Sequence, residues 1–109
     1  MYCDFLKNAS GNTIKNAVVM RWGDCGQFYT LQSYNDIIAE YNADMKMVTI
    51  SSHAFKTSLT TRKTLALFLK KYLHFDLAQI NFIVYGTQKK YYIVNCDGLT
   101  ITIRREKIQ

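Results

Sequence analysis

TTRKTLALFLKKYL, residues 60–73, is the one long amphipathic helix signal in a chain otherwise patterned for strands. Leu65, Phe68, Leu69, Tyr72 and Leu73 recur at the spacing that lines one face of an α-helix, so that face belongs to a core. Arg62 and Lys63 fall in the first turn. There, unpaired N–H groups and the positive end of the macrodipole disfavour an exposed cation by roughly 0.3–1 kcal/mol. No acid in that turn offsets them, and a basic helix start of this kind suits a surface tuned to an acidic partner.

Upstream, residues 17–22 (AVVMRW) and 28–32 (FYTLQ) read as strands around the glycine-bracketed turn GDCGQ at 23–27. Residues 36–41 (DIIAEY) and 46–51 (KMVTIS) form a second hairpin around Asn42, Ala43 and Asp44, which makes a meander. The polar stretch SSHAFKTSL at 51–59 leads into the helix, with Ser58 or Thr60 available as its N-cap. Downstream, Asp76 followed by Gln79 is set to cap a short helical turn. Residues 81–85 (NFIVY) and 91–95 (YYIVN) read as strands joined by GTQKK, and the turn NCDG at 95–98 feeds a last strand. In that strand Leu99, Ile101 and Ile103 alternate with Thr100, Thr102 and Arg104, one face buried and one wet. The expected fold is α+β: an antiparallel sheet of hairpins with one main amphipathic helix packed on it.

With 109 residues, no proline and no repeat or low-complexity tract, the chain reads as a single domain, 1–109. Its hydrophobic share of 49% is too high for a disordered chain, and its 20% charged residues keep it in water. No apolar run approaches the roughly 18 residues of a membrane span, and MYCDFLKNAS is no secretory signal. The expected location is the cytoplasm. A formal charge of +6 and a pI near 9.3 favour polyanions or acidic protein surfaces, although net charge also serves solubility alone.

The cations come in three groups: Arg62, Lys63, Lys70 and Lys71 on the helix, Lys89 and Lys90 in a turn, and Arg104, Arg105 and Lys107 near the C-terminus. Such clusters neutralise phosphates or pair with carboxylates, unless they are scattered solvated charges that never converge. Tyr85, Tyr91 and Tyr92 lie close to Lys89 and Lys90, where aromatics can stack bases or anchor a protein interface. At least one of them belongs to the core, because strand residues alternate. The expected partner contacts are therefore Arg62, Lys63, Lys70, Lys71, Lys89, Lys90, Tyr91, Arg104 and Arg105.

Three cysteines without an export signal argue for reduced thiols. Each neighbours an aspartate, and Cys25 and Cys96 sit in glycine-containing turns, so Cys3, Cys25 and Cys96 with His53 could form a Cys₃His zinc set. Their spacing matches no standard finger, and free cysteines are the plainer reading. His74 follows the helical stripe as a C-terminal cation that complements the macrodipole. No phosphate-cradling, dinucleotide, H-E-x-x-H or G-x-S-x-G motif is present, and the eight acids are dispersed. The expectation is a protein without catalytic activity and without a required cofactor.

Residues 31–73, with Ser33, Tyr34 and Asn35 before a strand and Thr60, Thr61, Arg62 and Lys63 opening a helix, resemble a pattern in small phage-encoded proteins. Among such proteins are anti-CRISPR inhibitors, which occupy a protein surface or the nucleic-acid channel of a guide-RNA nuclease. The resemblance implies an interaction protein that inhibits a host defence protein, such as a CRISPR effector nuclease, in the infected cell. A charge of +6 departs from the acidic, DNA-mimicking type, so the target would be an acidic protein patch or the guide RNA. The alternatives are a basic nucleic-acid-binding accessory protein and a small zinc-stabilised binding domain. Exposed strand edges allow either a monomer or a homodimer.

Overall fold

The computed structural model describes residues 2–55, 59–86, 90–96 and 98–106, the side chain of Cys96 excepted. The first half of the chain forms β1 (Tyr2–Asp4), β2 (Ala17–Trp22), β3 (Phe28–Ser33), β4 (Asp36–Asn42) and β5 (Met47–Ser51), each antiparallel to the one before. The expected meander is present, and its turns have local causes. Gly26 lies at φ +66°, and a Cβ there would fall 2.8 Å from Arg21 Nε, which donates to the Gly26 carbonyl at 2.7 Å. Asn42 Oδ1 accepts the N–H groups of Asp44 and Met45, both at 3.1 Å, which closes the β4–β5 turn. The Ser33, Tyr34, Asn35 motif makes the tight β3–β4 connection, with Tyr34 at φ +55° and its N–H donating to the Asn16 carbonyl at 2.6 Å.

After a 3₁₀ turn (Ser52–Phe55) come α1 (Leu59–Leu73), α2 (Leu77–Ile80), a π-helical turn (Asn81–Gly86), β6 (Tyr91–Cys96) and β7 (Leu99–Glu106). Strand order is β1-β2-β3-β4-β5-β7-β6. β7 runs parallel to β5, from Met47↔Thr102 to Ser51↔Glu106, so the sheet is mixed and not wholly antiparallel as expected. A parallel neighbour needs a crossover of a dozen or more residues, and the segment that includes α1 supplies it. No helix among the described residues is long and apolar enough to cross a membrane.

Two further expectations are corrected. Residues 81–85 are not a strand: Asp76 Oδ1 accepts Gln79 N–H at 2.8 Å, Gln79 Oε1 accepts Asp76 N–H at 2.9 Å, and helical dihedrals continue through Asn81. Ile83 and Val84 are both buried in the core from within this helical turn, and no strand pairing includes them. Thr60 lies within α1, so it is not the N-cap, and Ser58 falls outside the described residues.

Four cross-strand rows define the two faces of the sheet. Val19, Leu31, Ala39, Ile50 and Arg105 form one inner row, and Arg21, Tyr29, Tyr41, Val48, Ile103 and Tyr92 form the next. Leu65, Phe68, Leu69 and Leu73 of α1 join most of these residues in a single core, each fully buried side chain contributing about 1.5–3 kcal/mol. Tyr72 is half-buried, its ring 5.3 Å from Tyr29. The outer rows are Met20, Thr30, Glu40, Thr49, Arg104 and Tyr91, and Trp22, Phe28, Asn42, Met47, Thr102 and Ile93. This face remains open at its far edge, where Tyr91 is 56% and Ile93 63% exposed.

Candidate functional site

With its apolar stripe turned to the inner rows, α1 exposes Lys63 and Lys70 on its other side, with Ala66 and Leu67 half-buried between them. Lys63 and Lys70 are seven residues apart, so about 10.5 Å of helix rise separates them. Leu67 lies between them, off the apolar stripe. On one side of Leu67 a groove of about 350 Å³ is closed by Leu77, Ile80 and Tyr85. On the other, a second of about 550 Å³ reaches Leu6, Lys7 and His74, and the two share Asn8, Ala9, Leu67 and Lys70. Leu77 is 74% exposed and Tyr85 42%, so the floor is apolar and open. α1 contains no acid, and neither Lys63 nor Lys70 makes an ion pair among the described residues.

The helix cations thus have different tasks. Lys71 Nζ donates to Asp4 Oδ2 at 2.5 Å, and Tyr72 Oη donates a short hydrogen bond to the same oxygen, so edge strand β1 is tied to α1. The Lys71 hydrogen bond and then that of Tyr72 hold the Asp4 carboxyl below its ordinary range. Burial, followed by the Asp4 carboxylate, pushes the Tyr72 phenol above its ordinary value. Lys71 therefore reaches the second groove already neutralised on one side.

Arg62 and Arg105, expected at a partner surface, are turned inward. Arg62 is half-buried and donates from Nη2 to the Phe55 carbonyl at 2.5 Å. Arg105 is 5% exposed, donates from Nη2 to the Ile83 carbonyl at 2.6 Å, and carries its guanidinium 3.7 Å over the Phe55 ring and 5.2 Å from that of Tyr92. Burial lowers its pKa from the ordinary arginine value. These two side chains fasten the 3₁₀ turn and the π-helical turn to the rest of the fold. Arg104 and Tyr91 are register partners on the outer sheet face, where Arg104 pairs with Glu106 and Glu40 adds a further acid. Lys90 is exposed just before β6, while Lys89 and Lys107 lie outside the described residues. The expected contact set is split, with Lys63 and Lys70 on one side of the molecule and Tyr91 and Arg104 on the other.

The proposed zinc set is likewise not assembled. Cys3 on β1 and Cys96 on β6 occupy the two edge strands, six strand intervals apart, or about 29 Å across a flat sheet. Cys25 lies in the β2–β3 turn, at the opposite end of the sheet from His53, whose Nε2 is 3.7 Å from Asp36 Oδ2. No cluster of three or more His, Cys, Asp or Glu side chains capable of holding a metal occurs among the described residues.

The sequence reading missed the groove floor, though a signal for it exists: Leu67 stands between Lys63 and Lys70 on the polar side of the helix. A signal for Arg105 exists too, since it continues the Ile101, Ile103 alternation on the buried side. Compared with protein-family models, with curated proteins and with solved structures, the chain matches none.

Proposed function

We propose that the protein is a non-enzymatic interaction protein that binds an acidic protein surface along the outer side of α1. The observation that carries this reading is the pairing of an open apolar floor with lysines that no acid of α1 offsets. An apolar centre with a charged rim is the composition of a protein interface, whereas a phosphate backbone gains nothing from exposed Leu77 and half-buried Leu67. The resemblance of residues 31–73 to small phage proteins supports a host defence protein, such as a CRISPR nuclease, as the kind of target.

The second reading, a nucleic-acid-binding accessory protein, is favoured by the same lysines and by the overall charge of +6. Capture from host cells separates the two when it is run with the wild-type protein, with Lys63→Glu/Lys70→Glu, and with and without nuclease treatment. The protein-interface reading expects a partner that survives nuclease and is lost by the double variant. Equal recovery by both proteins would contradict it, and a partner released by nuclease would favour the second reading.

A further inference from the structure

We infer that the groove beside α1 takes an acidic amphipathic helix of the partner, an inference that rests on the reading just given. Charge complementarity sets the rim. Lys63 and Lys70 stand about 10.5 Å apart along α1, and carboxylates seven residues apart on a helix lying alongside have the same spacing. Shape sets the centre: Ala66 leaves room for close approach, and Leu67 sits where the two cavities of about 350 and 550 Å³ meet. An apolar residue of the incoming helix, midway between its two acids, falls over Leu67. Leu77 and Tyr85, exposed at 74% and 42%, then cover its flank. The outer sheet face is a poorer match, because Arg104 is paired with Glu106 and the nearby Glu40 would repel an acid.

The test is fluorescence anisotropy at about 50 mM salt, where charge contacts are only partly screened. Its probe is a labelled amphipathic peptide of about 14 residues, four helical turns, with glutamates seven apart flanking a leucine stripe. A scrambled peptide of identical composition and a labelled single-stranded oligonucleotide are the comparisons. The amphipathic peptide is expected to bind at least about tenfold more tightly than the scrambled one. Leu77→Gln, at a position too exposed to affect folding, and Leu67→Gln are each expected to reduce that preference while leaving scrambled-peptide binding unchanged. Equal binding of the two peptides to the wild-type protein would overturn the helix-in-groove inference and leave the basic surface standing. Binding of the oligonucleotide alone would overturn both.

Discussion

Arg105 donates to the Ile83 carbonyl and stacks on Phe55, so replacing it withdraws a hydrogen bond, a cation–π contact and packing together. Arg105→Met keeps much of the packing but leaves a buried carbonyl without this donor, and should cost about 1–3 kcal/mol. A lower urea midpoint at unchanged slope would register it, and a midpoint equal to wild type would contradict the clamp. Asp4 is a second residue whose worth can be measured. Its carboxyl titrates below the ordinary 3.8, so the stabilisation is fully present above that value and is lost as pH falls through the depressed one. Asp4→Asn should destabilise by about 1 kcal/mol at neutral pH, because Lys71 is half exposed and screened. The difference from wild type should shrink as pH falls through the depressed value, and a pH-independent difference would assign Asp4 another role. Arg62 was beyond sequence reasoning, because the Phe55 carbonyl that captures it comes from a different element.

Among the elements, β2 to β5, β6 and β7 were legible because β-rich runs are bounded by turn residues, with alternation cleanest in β7. β1 was not, since three residues carry no period. The 81–85 segment misled because a short apolar run fits a strand and a buried helical turn equally well; the capping box just upstream decided it. Asp76→Ala should therefore cost about 1 kcal/mol and raise amide exchange across 77–86 while leaving α1 protected. Uniform loss of protection would mean that α2 and α1 open as one unit. The parallel β5–β7 pair had no local signature at all, for register between distant strands is set by the crossover and the core they share.

At the scale of the whole molecule, folding sorts the charges that the sequence only counts. Among the described residues Lys63 and Lys70 have no acid paired with them on the helix side, Arg62 and Arg105 are consumed inside, and the outer sheet face balances Arg104 against Glu106 and Glu40. The resulting two-sidedness was hidden from composition, which gave +6 without direction. It makes the helix side the place where an acidic partner should sit. Hydrogen–deuterium exchange of the protein with its captured partner bound tests that most directly. Slowed exchange is predicted at residues 63–70 and 77–85, with β6 and the outer rows of the sheet unchanged. Protection confined to residues 91–95 and 102–104, with the groove unaffected, would contradict it.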